Sequence, residues 1–134
     1  MDANILFAAL IKKSTTADLI ITGNINLYAP EFLLDEFKKY EKTILNKTYR
    51  TEKEFKRFLD LLKRKITFIP YKKIIKFLDQ GKKISPDPKD AIYFALALAI
   101  NAKIWSNDKR LKTKQKQIEV LTTADILKWV NSYD

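Results

Sequence analysis

The sequence contains neither cysteine nor histidine among its 134 residues. Without cysteine it has no disulfide framework and no thiolate zinc site, which fits a reducing compartment. Without histidine it cannot use Ser-His-Asp or Cys-His catalysis, and it cannot hold a transition metal through imidazole. Any catalysis must therefore use carboxylates, hydroxyls, lysines or arginines.

Glycine is scarce, and long apolar runs are missing. Gly23 and Gly81 are the only glycines, which excludes the glycine-rich phosphate loops of P-loop and dinucleotide-binding proteins. The longest apolar run, residues 91–100, is about half of the roughly 20 residues that a membrane-spanning helix needs. The amino terminus has no basic stretch ahead of an apolar one, so no signal peptide is predicted. We expect a cytoplasmic protein with no membrane partner.

Positive charge dominates the sequence and is unevenly placed. The 26 Lys and Arg residues outnumber the 16 Asp and Glu, which gives a net charge of +10. Residues 38–83 hold 16 basic and five acidic residues, whereas residues 1–37 hold two and five. This asymmetry indicates a basic surface beside an acidic pocket, and the natural partners of these are a polyanion and a metal ion. The alternative is a lysine-rich face of the kind common in heat-adapted proteins.

Short apolar runs alternate with helical patterns, which predicts one α/β domain over residues 1–134. We expect a three-layer α/β/α sandwich with a small, mostly parallel central sheet and right-handed connections. The predicted strands are residues 4–7, 25–29, 66–69, 103–106 and 118–121. Three predicted helices cover residues 15–21, 30–45 and 71–80, and the last of these is ended by Gly81. Three more are predicted from their starts: one opened by a Thr51–Glu54 capping box, one after Asp87, and one capped by Thr122 or Thr123.

Four acidic residues fall at or near the carboxyl ends of predicted strands, where open parallel sheets bind ligands. Asp2 lies in the first predicted strand and Glu36 in the helix after the second. Asp90 opens the apolar helix, and Asp108 follows the fourth strand. Carboxylates that converge in one pocket repel one another, and a hard cation such as Mg²⁺ or Mn²⁺ stabilises them. Such a site can activate water and support phosphodiester cleavage.

Each of these acids also has a structural interpretation. Asp87 is a good helix N-cap, which is its favoured role, whereas Asp90 is less easily explained because the cap is already supplied. Asp108 could cap a short helix of its own, and Glu36 could be a surface acid. Asp2 is the hardest to explain, because aspartate is depleted in strands and is costly when buried without a partner.

In this order the residues resemble the PIN-domain nucleases. The stretch "DANILFAAL" supplies Asp2 and Asn4, "APEFLLDEF" supplies Glu36, "DPKDAIYFALALA" supplies Asp90 with Asp87 as an auxiliary acid, and "IWSND" supplies Ser106 and Asp108. Each motif alone is weak, but four in the family's order over nearly the whole chain are fairly specific. The resemblance implies a metal-dependent endoribonuclease that prefers single-stranded RNA. Members of this family are often the toxin of a VapBC-like toxin–antitoxin pair and often homodimers. The resemblance therefore also implies an antitoxin protein as a possible partner and a homodimer.

The resemblance also implies the roles of individual residues. Mg²⁺ or Mn²⁺ would be held by Asp2, Glu36, Asp90 and Asp108. Asn4, Ser106 and Asp87 would orient these carboxylates without contacting the metal themselves. The basic region would bind the RNA backbone through Lys53, Lys56, Arg57, Lys72, Lys73 and Lys76. The alternative is a PIN-like scaffold that binds RNA or a protein without cutting it.

Two features depart from the family pattern. Only Met1 precedes Asp2, where the family usually has a few apolar residues, so we expect the first strand to be short or its start trimmed. Arg110 stands where many members carry another aspartate, which removes one outer ligand of the metal.

Overall fold

The computed structural model describes residues 1–11, 15–48 and 50–132. These residues contain four short strands: β1 (Leu27–Pro30), β2 (Ile66–Ile69), β3 (Ile104–Trp105) and β4 (Val120–Leu121). They also contain ten α-helices: α1 (Ala3–Ile11), α2 (Thr15–Thr22), α3 (Phe32–Lys39), α4 (Glu41–Lys47), α5 (Glu52–Lys65), α6 (Tyr71–Ile74), α7 (Leu78–Ile84), α8 (Ala91–Ile100), α9 (Lys109–Thr113) and α10 (Thr123–Ser132). Short 3₁₀ turns at Ile75–Phe77 and Pro88–Asp90 precede α7 and α8.

The strands form two separate parallel pairs. β1 pairs with β2, with Leu27 opposite Ile66, and β3 pairs with β4, with Ile104 opposite Val120. Helices connect the strands within each pair, as parallel pairing requires. The predicted α/β class with small parallel sheets is therefore confirmed, although the described strands do not join into one continuous sheet.

The backbone of Met1 and Asp2 lies between the two strand pairs. The Met1 amine donates a hydrogen bond to the Tyr28 carbonyl oxygen at 3.3 Å. The Asp2 N–H donates to the Trp105 carbonyl oxygen at 3.2 Å. These two residues therefore link β1 on one side to β3 on the other.

The predicted first strand, residues 4–7, is wrong, because these residues belong to α1. Burial in α1 follows a helical period rather than an alternating one: Ile5, Leu6, Ala9 and Leu10 are buried. Asp2 therefore does not lie in a strand. It precedes α1, and its Oδ1 accepts a hydrogen bond from the Ile5 N–H at 3.1 Å, which caps the helix.

The prediction of one helix over residues 71–80 ended by Gly81 is also wrong. The segment is broken into α6, a 3₁₀ turn and α7, and Gly81 lies inside α7 rather than after it. A Cβ at Gly81 would lie 2.5 Å from the Ala91 carbonyl oxygen and 2.9 Å from the Ala95 nitrogen. Glycine is thus required here because α7 and α8 approach so closely, and not because a helix ends.

The other predicted elements are present with small changes of boundary. The predicted helix over residues 30–45 is divided at Tyr40 into α3 and α4. Thr51 accepts a hydrogen bond from the Glu54 N–H at 3.2 Å at the start of α5, as predicted. Thr122, the first of the two predicted caps, accepts from the Asp125 N–H at 3.1 Å and starts α10.

Helix α8 is the most apolar helix and one of the most buried. Ala91 and residues 93–97 are all buried, so the helix is packed on nearly every side. No helix among the described residues is long and apolar enough to cross a membrane. The dense packing of α8 fixes the position of the residues at its start, including Asp90.

Replacing Gly81 by alanine should destabilise the protein although alanine favours helix. The added Cβ meets backbone atoms of α8, and overpacking of this kind costs about 1–3 kcal/mol, against a helix-propensity gain of roughly 1 kcal/mol. Thermal and urea unfolding should show a net loss for Gly81→Ala. The exposed neighbour Gln80→Ala should change stability by no more than about 0.5 kcal/mol. A melting temperature of Gly81→Ala at or above that of the wild type would contradict the close helix contact.

Candidate functional site

Four separate elements bring the predicted acids toward one edge of the strands. Asp2 precedes α1, Glu36 lies in α3 after β1, and Asp108 precedes α9 after β3. Asp90 comes just before α8, which runs back toward the start of β3, so the first residues of α8 lie at the same edge as the carboxyl end of β3. The sequence-based expectation that the four acids share one pocket beyond the carboxyl ends of the strands stays a prediction.

The electrostatic coupling among these acids centres on Asp90. The pKa of the Asp90 carboxyl is raised, first by its partial burial and then by repulsion from the carboxylates of Asp87, Asp2 and Asp108. Arg110 opposes this shift by attraction. Asp90 is therefore the acid at which partial burial and the charges of three neighbouring carboxylates combine.

Tyr93 links the acids electrostatically and was not predicted from the sequence. Its pKa is raised, first by burial and further by the negative charges of Asp2, Asp90 and Glu36. Its hydroxyl oxygen accepts a hydrogen bond from the Ala3 N–H at 3.2 Å, which ties the start of α1 to α8. The available signal was the position of Tyr93, three residues after Asp90 on one helix face and with the only polar atom in an apolar run.

Arg110 places a positive charge inside the acidic cluster. Its guanidinium lies 3.2 Å from Oδ2 of Asp108 and 3.7 Å from Oδ2 of Asp87. Hydrogen bonds from the Arg110 side chain and backbone N–H are the main reasons that the pKa of Asp108 is lowered. The residue that departs from the family pattern therefore acts as a counter-charge to two of the acids.

Several of the acids also cap helices. Asp2 caps α1 through Ile5, and Oδ1 of Asp108 accepts from the Arg110 N–H at 2.9 Å at the start of α9. Asp87 accepts from the Lys89 N–H at 3.0 Å, which confirms its predicted capping role. One oxygen of each of these carboxylates is therefore bonded to the start of a helix.

The acids match a hard divalent cation in chemical type, but their present spacing does not form a cage. No group of three acidic side chains within residues 1–11, 15–48 and 50–132 lies close enough to hold a metal ion. A bound cation would relieve the repulsion that adds to burial in raising the pKa of Asp90. The donor chemistry thus fits a metal, while the conformation described here has the carboxylates engaged with helix ends and Arg110.

Ser106 and Asn4, the residues predicted to orient the carboxylates, differ in burial. Ser106 is fully buried, and its hydroxyl oxygen accepts from the Asp108 N–H at 3.1 Å. It therefore positions the backbone of Asp108 and not its carboxylate. Asn4 is exposed on the first turn of α1, and Glu36 is half-buried.

The basic residues predicted to bind RNA are all exposed. Lys53, Lys56 and Arg57 lie in the first half of α5, and Lys72, Lys73 and Lys76 lie in α6 and the 3₁₀ turn after it. The second group follows the carboxyl end of β2, which is the edge where the acids gather.

Arg50, in contrast, has a structural role within the same basic region. Its guanidinium donates hydrogen bonds to the carbonyl oxygens of Ala9 and Leu10 near the end of α1 and stacks 4.1 Å from the ring centre of Phe58. It stabilises the carboxyl end of α1 and fixes α5 against it. Its charge is therefore engaged within the fold, whereas Lys56 pairs with Glu52 at 3.4 Å on the exposed surface of α5.

Comparison with known families agrees with the order of these acids. The sequence model of the PIN domain matches residues 1–126, which include all four strands and all four acids. No significant match was found among curated proteins or among solved structures.

Replacing Asp90 by asparagine should stabilise the protein at neutral pH in metal-free buffer. The raised pKa means that the folded state binds the proton more tightly than the unfolded chain. The stability contributed by this group is therefore complete below the ordinary value of 3.8 and is lost as the pH rises through the folded-state pKa. The variant, which resembles the protonated form, should melt above the wild type at pH 7 and converge with it near pH 3.

The matched variant Asp87→Ala should do the opposite. It removes a cap, which costs about 0.5–2 kcal/mol, so its melting temperature should fall. A lower melting temperature of Asp90→Asn at pH 7, or a difference from the wild type that is the same at pH 3 and pH 7, would show that Asp90 does not carry the repulsion.

Proposed function

Because the chain belongs to the PIN-domain family, whose members are generally metal-dependent nucleases, we propose that it is an endoribonuclease that cleaves single-stranded RNA with Mg²⁺ or Mn²⁺. One observation carries the proposal: acids from different elements lie close enough to Asp90 and Tyr93 to add to the burial that raises the pKa of each of these two residues. An arrangement that costs stability in the free protein is typical of a site built to bind a cation. The absence of histidine and cysteine agrees with an oxygen-only ligand set.

In this proposal the metal is held by Asp2, Glu36, Asp90 and Asp108, directly or through water. When bound, the cation supplies an activated water and offsets negative charge on the phosphate. An ionised carboxylate accepts through two oxygens, so Asp2 can keep capping α1 through Oδ1 and use Oδ2 for the cation. The cation also relieves the repulsion that Asp87, Asp2 and Asp108 exert on Asp90.

Arg110 has a defined part in the same proposal. Without RNA its guanidinium neutralises Asp108 and Asp87. A phosphate group offers the guanidinium the same planar pair of acceptor oxygens that a carboxylate does. Arg110 can therefore exchange Asp108 for the RNA backbone, which releases the carboxylate and fixes the phosphate beside it.

The presence of Arg110 also supports a second candidate function, which is RNA or protein binding without cleavage. If Arg110 stays paired with Asp108, it holds one of the four acids away from any cation. The two functions differ in one result: the non-cleaving module binds RNA equally well with and without Mn²⁺ and leaves it intact. The variant Arg110→Gln should raise the Mn²⁺ affinity in either case.

The resemblance alone supports the biological role that we propose, the toxin of a toxin–antitoxin pair. We also propose a protein antitoxin as partner and a homodimer as the functional state. Growth arrest on expression tests the toxin role, and relief of that arrest by the product of an adjacent small reading frame tests the antitoxin. Light scattering of the purified protein tests the dimer.

Asp90→Asn should reduce Mn²⁺-dependent cleavage of a single-stranded RNA by roughly 100-fold or more, because the charge nearest the centre of the cluster is removed. Time courses on a labelled oligoribonucleotide, with EDTA as a blank, measure this. The exposed acid Asp60→Asn serves as the control and should keep full activity. Equal activity of wild type and Asp90→Asn, or wild-type activity that persists in EDTA, would overturn the proposed chemistry.

RNA affinity should fall steeply with salt and depend on the basic residues near the acids. Each phosphate contact to a single strand contributes a slope of roughly −0.7 to log K against log salt. Changing Lys72, Lys73 and Lys76 to glutamine should weaken binding and flatten this slope by roughly 2.

The matched control removes as many charges at the opposite edge. Lys63, Arg64 and Lys65 are exposed and stand immediately before β2, at its amino end. Their triple glutamine variant should change the slope much less. RNA affinity is measured by fluorescence anisotropy. If the two triple variants weaken binding equally, RNA affinity depends on the net charge of the protein and not on the position of the lysines.

A further inference from the structure

Three exposed aromatic rings stand on the elements that follow β1 and β2. Phe32 begins α3 and is 38% exposed, and Tyr40, directly after α3, is 40% exposed. Tyr71 begins α6 and is 51% exposed. A single exposed apolar side chain is ordinary, whereas a group of large ones marks an interaction surface.

Phe32 and Tyr40 flank Glu36 along one side of α3. The three residues are spaced four apart, which makes them neighbours on a helix. The Tyr40 N–H donates to the Glu36 carbonyl oxygen at 3.0 Å, so the helical spacing extends as far as Tyr40. One exposed ring therefore lies a turn before, and another a turn after, an acid of the proposed cation site.

Tyr71 belongs to the same edge through the pairing of β1 with β2. Pro30 stands opposite Ile69, and the Glu31 N–H donates to the Ile69 carbonyl oxygen at 2.9 Å. Phe32 and Tyr71 each come two residues after this last strand pair. The chain therefore leaves both strands with an exposed ring at the same edge.

Lysines accompany the rings. The Lys39 ammonium lies 5.2 Å from the centre of the Tyr40 ring. Lys72 and Lys73 follow Tyr71 directly and are exposed. Rings that offer their faces to bases, beside cations that bind phosphates, are the combination by which proteins bind single-stranded nucleic acids.

The Tyr40 ring is fixed by contacts beneath the surface. The half-buried Phe7 ring meets it edge to face, with the ring centres 6.4 Å apart and the planes at 76°. Phe7 meets the buried Phe37 ring in the same way at 5.6 Å. Because these contacts already order the Tyr40 side chain, little side-chain entropy is lost when a base stacks on it.

We propose that Phe32, Tyr40 and Tyr71 form a stacking surface for the unpaired bases of single-stranded RNA. The proposal rests on the proposed nuclease function, because these bases would flank the phosphate group held at the acidic site. A duplex hides the faces of its bases, and a simple polyanion has none. The surface therefore selects unpaired RNA over both, which the lysines alone cannot do.

Charged residues lie between the rings, which favours RNA over an apolar protein surface as the occupant. Glu36 separates the two rings of α3, and the lysines at 72–73 separate Tyr71 from the exposed Ile75. The core of a protein interface is depleted of charge. Alternating rings and cations instead match a chain of alternating bases and phosphates.

The test compares RNA with a base-free polyanion in EDTA, by fluorescence anisotropy. The triple variant Phe32→Leu, Tyr40→Leu and Tyr71→Leu keeps apolar bulk and removes the rings. It should bind a short labelled oligoribonucleotide without self-pairing at least about 30-fold more weakly than the wild type. Its affinity for labelled inorganic polyphosphate, and for the same RNA annealed to its complement, should equal that of the wild type. The salt slope of RNA binding should also stay the same, because no phosphate contact is lost.

Matched variants control for the loss of side-chain contacts. The variant Phe32→Tyr, Tyr40→Phe and Tyr71→Phe keeps all three rings and should bind RNA as the wild type does. Trp129→Leu should also leave RNA affinity unchanged. Its ring is 46% exposed but lines a cavity with residues 22–24, which precede the amino end of β1. Melting temperatures show whether each variant is folded. If the triple leucine variant is not, the single variants Phe32→Leu and Tyr71→Leu replace it, each with an expected loss of about 3-fold.

Three results would overturn the proposal. RNA affinity of the leucine variant equal to that of the wild type would show that the rings do not bind bases. An equal loss for RNA and polyphosphate would show that they act only through the shape of the basic surface. Dissociation of a wild-type dimer in the leucine variant, at unchanged RNA affinity, would assign the rings to a second copy.

The outcome does not depend on cleavage, because binding is measured without a metal. A protein that binds as described but never cuts RNA with Mn²⁺ would keep the stacking surface and lose the nuclease function. A protein that cuts RNA, and whose leucine variant binds as the wild type does, would lose the stacking surface alone.

Discussion

Repulsion among carboxylates at one edge of the strands is the interaction on which the site depends. The pKa of Asp90 is raised first by its burial and then by repulsion from Asp87, Asp2 and Asp108. The fold offsets this repulsion in two ways. Asp2, Asp87 and Asp108 accept hydrogen bonds from helix N-termini, where the helix dipole favours negative charge, and Arg110 pairs with two of them. The same carboxylates therefore serve folding and, in our proposal, catalysis.

The rigidity of α8 makes this concentration of charge possible. The helix is buried on nearly every side, and Gly81 lets α7 approach its backbone closely. Tyr93 lies in this helix and Asp90 in the 3₁₀ turn directly before it, so neither can move far from the charges around it without disturbing the core. The Tyr93 hydroxyl extends the constraint to α1, because it accepts from the N–H next to Asp2. Packing energy in the core thus offsets the electrostatic cost at its edge.

Sequence patterns predicted what depends on local chemistry and missed what depends on tertiary contact. The α/β class, the strand at residues 66–69 and the caps at Thr51, Asp87 and Asp108 follow from propensity and spacing, and all are present. The order of the four acids pointed to the family. Residues 4–7 were misassigned because a short apolar run fits a strand or a helix equally well. The packing role of Gly81, the pairing of Arg110 and the buried Met1 amine depend on residues distant in sequence, which no local pattern shows.

The central claim is that Asp2, Glu36, Asp90 and Asp108 form one cation site. Paramagnetic broadening by Mn²⁺ in ¹⁵N-labelled protein tests it most directly, because broadening falls off steeply with distance from the ion and needs no RNA or activity. At substoichiometric Mn²⁺ the amide signals of these four residues should disappear first and together, and Mg²⁺ in excess should restore them. Broadening centred on the exposed acids of α5, Glu52, Glu54 and Asp60, or spread evenly over all acidic residues, would contradict the claim.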